Sequence, residues 1–159
     1  MRKFLAVLAP VVVALACQQV LAQQNPQRQP VTLPADAKAI FKAQMLGHVV
    51  GLDAVISALG EGDYKAAAEL ASTELGTRRF QESAAAKSRD QSPGVGVGQY
   101  LPDDFKTISA RFRQAADEFA ELAGGMPAVP SSVDQQALFA ALAKITNECR
   151  ICHDAYRVD

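Results

Sequence analysis

Residues 133–156 read VDQQALFAALAKITNECRICHDAY. Within them Leu138, Leu142, Ile145, Cys149, Cys152 and Tyr156 advance by four and three alternately, the step that keeps side chains on one face of an α-helix. The spacing predicts a helix over Val133 to Tyr156 whose apolar stripe runs unbroken through both cysteines. Such a stripe demands a partner face, and the same advance recurs upstream. Phe41, Met45, His48, Leu52, Val55 and Leu59 mark a helix over Asp36 to Leu59. Phe105, Ile108, Phe112, Ala115, Phe119 and Leu122 mark another over Asp103 to Ala123. A shorter helix, Tyr64 to Leu75, follows the Gly60-Glu61-Gly62-Asp63 turn and stops at Gly76.

The helix ends agree. Asp103, after Pro102, is placed to cap the third helix, and Ser132 with Gln135 reads as a capping box for the fourth. No segment alternates with period two for long enough to predict a strand. These patterns give an all-α fold, an antiparallel four-helix bundle in one domain over residues 36–159. The long crossover from Thr77 to Leu101 is expected to hold an irregular helical turn around Arg79 to Lys87, and to be mobile about the glycines of Ser92 to Gly98.

Cys149-Arg150-Ile151-Cys152-His153 is the c-type haem attachment signature. Two thiols one helical turn apart reach two vinyl groups of one porphyrin, and the adjacent imidazole sits under the iron as fifth ligand. One covalently bound haem c is therefore the expected cofactor. Three other readings of the pair are weaker. A thioredoxin-like redox pair opens a helix, where the dipole favours thiolate, whereas this one comes late in a helix. A zinc site needs four ligands, and the only other histidine is His48, far upstream. A disulfide within one helical turn is strained.

The third cysteine, Cys17, lies in a segment that reads as an export signal over residues 1–22. Arg2 and Lys3 precede the apolar stretch Phe4 to Ala16, and Val20-Leu21-Ala22 offers small residues for cleavage before Gln23. A second reading takes Ala14-Leu15-Ala16-Cys17 as a lipid-attachment box with Cys17 as the anchored residue. Either way the protein is exported, with a periplasmic location expected. Residues 23–35, rich in Gln and Pro, read as a flexible leader.

The chain has 16 basic and 17 acidic side chains; losing Arg2 and Lys3 with the signal takes the net charge from −1 to −3. No basic cluster suggests nucleic acid, and no apolar run after the signal is read as a membrane span. No enzymatic constellation stands out. Asp103 and Asp104 lie at a helix start, which capping explains, and Gly94, Gly96 and Gly98 lack the lysine and the strand-to-helix context of a phosphate loop.

The cysteines continue the inward stripe, so the porphyrin is expected inside the bundle. The first helix alone carries unusual groups in its stripe, Met45 and His48, one turn apart. Met45 is the first candidate for the distal side of the iron and His48 the runner-up. A thioether ligand raises the reduction potential; a second histidine would give a lower one.

The ending Cys149-Arg150-Ile151-Cys152-His153-Asp154-Ala155-Tyr156-Arg157 resembles the C-x-x-C-H-x-x-Tyr-Arg of the cytochromes c′, the class II c-type cytochromes. The resemblance implies thioether bonds at Cys149 and Cys152, His153 as proximal ligand, and Arg157 as a basic group near the haem. It also implies a distal position on the first helix at Met45, with Lys42 where the family often has an arginine; a register one turn earlier would set Lys42 at the iron. Two functions follow. Six-coordination through Met45 suits an electron carrier working with periplasmic redox partners. An open distal face, lined by Met45, Val49 and Phe41, suits a five-coordinate protein that binds or scavenges nitric oxide or carbon monoxide. Family members often dimerise through the first two helices, and Ile40, Val50 and Ile56 are the outward apolar residues here that a homodimer would use.

Overall fold

In the computed structural model, residues 28–79, 81 and 96–159 are described. The signal reading of residues 1–22, Cys17, residues 23–27 of the leader and most of the glycine-bearing crossover lie outside them. Among the described residues four helices form the expected all-α bundle, α1 (Ala35–Gly60), α2 (Tyr64–Leu70, continued by a π-helical turn Ala71–Leu75), α3 (Asp103–Gly124) and α4 (Ser132–Ala155), and residues 77–79 and 81 are helical as well. A 3₁₀ turn, Val97–Tyr100, leads into α3.

The turns show why the elements stop where they do. Gly62 takes φ +75°, which relieves the α1–α2 turn of any Cβ clash, and Asp63 then caps α2 by accepting from Ala66 N at 2.9 Å. At the far end of α2 the turn widens to an i→i+5 bond, Gly76 N to Ala71 O at 2.9 Å. Just beyond it Asp117 of α3 accepts from Thr77 N at 3.1 Å and Thr77 Oγ1 at 2.5 Å. A Cβ on Gly76 would stand 2.2 Å from Asp117 Oδ1. Gly76→Ala should therefore lower stability by about 1–3 kcal/mol, read as a shift of the urea midpoint at unchanged slope.

Two predicted caps are corrected. The capping box on α4 uses Ser131 and Asp134, one residue earlier than Ser132 and Gln135; Ser131 Oγ accepts from Asp134 N at 3.2 Å and Ser131 N donates to Asp134 Oδ2 at 2.8 Å. Asp103 does not cap α3. It is the helix's first residue and pairs with Lys106 Nζ at 2.8 Å.

The leader is also shorter than expected. Gln29–Val31 forms a strand, β1, parallel to β2 (Tyr156–Val158), in the register Gln29 with Tyr156 and Val31 with Val158. Val31 and Leu33 are buried there, so from Gln29 onward the leader is part of the fold. The pairing ends α4 at Ala155 and swings the chain into extended backbone at Tyr156.

The buried side chains fall into two clusters. The larger holds Val55, Leu75, Phe112, Phe119, Leu138 and Ile145, and fills the bundle from its middle to the α1–α2 turn. The smaller lies where the chain ends meet, with Val31, Leu33, Phe41, Phe105 and Tyr156. In it Phe105 stands 5.8 Å from Phe41 and 5.2 Å from Tyr156, ring centre to ring centre. Cys149 packs on the larger cluster and Cys152 on the smaller.

By length and composition α1 is apolar enough to cross a membrane, which the sequence reading of later apolar runs missed. The fold gives part of that apolar surface a different use.

Candidate functional site

Between the two clusters lies a cavity of about 360 Å³, walled by α1, α3 and α4. From α4 come Ile145, Glu148, Cys149, Cys152 and His153; from α1 come Met45, Leu46, His48, Val49 and Leu52; Phe105, Ile108, Ser109 and Phe112 of α3 form the floor. Five candidates from sequence, Met45, His48, Cys149, Cys152 and His153, thus meet in one place. The reason is the stripe: Cys149 and Cys152 share a face with buried Ile145, and His153, one turn from Cys149, stands at the mouth, exposed.

Two expectations are corrected. Arg157 does not line the cavity. Helical spacing would have set it one turn beyond His153, but the chain leaves the helix at Tyr156, and Arg157 lies in β2, exposed and paired with Asp159 at 3.3 Å. Phe41 is not on the distal wall either, being packed into the aromatic row behind Met45. Val49 does line it, and Lys42, exposed, does not.

The wall also holds Leu46 and Glu148, which the sequence reading did not single out, beside Val49, which it placed there. Leu46 and Val49 are 64% and 65% exposed although both face the cavity. Large aliphatic side chains left in water beside a cleft mark a surface that expects an apolar cover. Glu148, only 15% exposed, reaches across to Arg111 Nε of α3 at 3.1 Å and closes that side. The sequence signal for Leu46 was its apolarity off the main stripe; for Glu148 it was a charge adjoining Cys149.

Electrostatics distinguish the groups. Burial pushes the Cys152 thiol up to about 11, with Cys149 beside it adding to the effect, and burial also raises Cys149. Both therefore stay as neutral thiols, the opposite of an activated redox pair. Among the described residues no three of His, Cys, Asp and Glu gather as a metal-binding group.

Burial, reinforced by the charges of Arg79 and Arg113, lowers His48 to about 4. In the polypeptide without haem, the unfolded chain then binds more protons than the folded one between about pH 6.5 and 4, so stability falls as the pH falls through that window. The expected loss is about 3 kcal/mol, and His48→Gln should abolish it in urea titrations at successive pH values.

The donor set suits one group above others. Two half-buried thiols a turn apart, an imidazole next to them and an apolar slot fit a covalently held haem, whose face would cover Leu46 and Val49; the thioether of Met45 on the α1 wall is an additional donor.

A family model described as Cytochrome C' matches residues 100–157, the stretch that supplies the cavity floor, Cys149, Cys152 and His153. No curated protein and no solved structure matches the chain.

Proposed function

We propose, from the premise that this chain is cytochrome c′-like and so belongs with haem proteins of electron transfer or gas binding, that it is a periplasmic one-electron carrier. Cys149 and Cys152 hold the haem. Their thiols would supply the sulfur and the hydrogen for thioether bonds to the two vinyl groups, an addition that balances without an oxidant. His153 would bind the iron from α4 and Met45 from α1. When bound, the haem supplies a ferric–ferrous couple. The chain's own part is to exclude water with Leu46, Val49, Leu52, Ile108 and Phe112, and to hold the two ligands on separate helices. The observation that carries this reading is the meeting of Met45 from α1 with Cys149, Cys152 and His153 from α4 in a single apolar cavity. The export reading of residues 1–22 gives the location, and the partners are redox proteins of that compartment; a second copy docking on Ile40, Val50 and Ile56, all exposed, is the accompanying oligomer.

A reduced-minus-oxidised absorption spectrum, taken after expression in a host that attaches haem, tests the proposal. Sharp low-spin bands with the weak methionine–iron band in the far red support it. A broad high-spin spectrum that shifts with carbon monoxide overturns the carrier in favour of gas binding.

A further inference from the structure

His153 stands in the last turn of α4, and the final hydrogen bond of that helix runs from Tyr156 N to Cys152 O. A terminal turn frays unless something outside the helix ties it down. The cysteines cannot do so, because both lie on the N-terminal side of His153. Among the described residues none hydrogen-bonds the His153 ring, so its place depends on the backbone that carries it. That backbone is tied three residues further on, at Tyr156, by a segment from the other end of the chain.

β1 pairs Gln29 with Tyr156, Pro30 with Arg157 and Val31 with Val158, and Asp159 N extends the contact by donating to Val31 O at 3.4 Å. Three residues a side are too few for such a pair to hold by itself. Burial holds it. Val31 is 3% exposed and Leu33 7%, both in the cluster of Phe41, Phe105 and Tyr156, against which Ile151, Cys152 and Ala155 of α4 also pack. Tyr156 thus has β1 beside its backbone and Phe105, a cavity residue, against its ring. Leu33 runs directly into Pro34 and α1, so one short segment joins the end of α4 to the start of the helix that bears Met45. It lies outside residues 100–157, the stretch that the family model matches. We infer that Val31 and Leu33 are positioning residues for the haem site: through β1 they clamp the last turn of α4 and so fix His153 relative to α1. The inference rests on the haem reading proposed above.

The test compares the haem-loaded parent with Val31→Asp, Val31→Ala and Leu33→Ala, and with Val55→Ala, a truncation in the other core cluster, as control. Urea midpoints report stability. Electron paramagnetic resonance of the ferric protein reports the axial field and the histidine ring orientation through its g values, and a redox titration gives the potential. All four variants are expected to lose stability. The β1 variants should in addition split or broaden the single set of g values, and raise the potential, because a loosened imidazole donates less to ferric iron. Val55→Ala should keep the g values and potential of the parent. Variants of β1 that lose stability with both readouts unmoved overturn the inference, since β1 then only adds to the core, and so does a control that shifts as they do. Should Val31→Asp fail to fold, Val31→Ala and Leu33→Ala decide by the same two readouts, and Val31→Ile, which keeps an apolar branched side chain there, must match the parent. A parent that carries no covalent haem overturns the functional reading itself, which separates the two failures.

Discussion

Changing Cys149 and Cys152 together to serine is expected to yield a polypeptide that gives up all its haem to acid–acetone extraction, with the mass of the bare chain. The parent should keep its colour through the same treatment, with a mass greater by one haem. The expectation follows from chemistry and placement together. A thiol adds to a vinyl group and a serine hydroxyl does not, so the change removes both tethers at once. Placement makes the loss specific. The two sulfurs line one wall of the cavity without being fully buried, so serine there leaves no large void and the fold should survive. Far-ultraviolet circular dichroism close to that of a parent freed of haem would show that folding is not the cause. Each single variant keeps one thioether and should resist extraction. A double variant that still retained its haem would mean that the attachment reading of Cys149-Arg150-Ile151-Cys152-His153 is wrong.

The helices were legible because their periods are long and consistent. The ends predicted for the first, third and fourth fall within one residue of Ala35–Gly60, Asp103–Gly124 and Ser132–Ala155. The gathering of Met45 with the Cys149–His153 group was legible for the same reason, since inward stripes of facing helices must meet. Three-residue strands carry no measurable period, and β1 and β2 come from opposite ends of the chain, so neither had a local signal. That omission led directly to the misplacement of Arg157, whose position was extrapolated along a helix that β2 terminates. The contact of Arg79 with α1 was invisible for a different reason. Arg79 follows a π-helical turn, and it reaches α1 only through the missing side chain of Gly47, a packing relation that no spacing encodes. Leu46 reads as a surplus apolar residue in the sequence; only the cleft between the two core clusters gives it a purpose.

Met45→Ala is expected to convert the haem spectrum from low spin to high spin, to lower the reduction potential and to open the protein to carbon monoxide. The argument begins from position. Met45 is half-buried on the cavity wall of α1, in contact with the cluster that holds Cys152, while His153 comes from α4. A thioether is a weak, neutral ligand that favours ferrous iron, so its loss costs the reduced state more than the oxidised one and the potential drops. Alanine cannot reach the iron, and of the other α1 residues on that wall, Leu46, His48, Val49 and Leu52, only His48 carries a donor atom. The vacated space admits a diatomic, which ties the two functional readings together: one side chain separates a rigid carrier from a gas-binding protein on the same scaffold. The cost in stability should stay below the 2–5 kcal/mol typical of truncating a fully buried methionine, because Met45 is only partly enclosed. An unchanged low-spin spectrum in Met45→Ala, lost only when His48→Leu is added, would transfer the ligand role to His48.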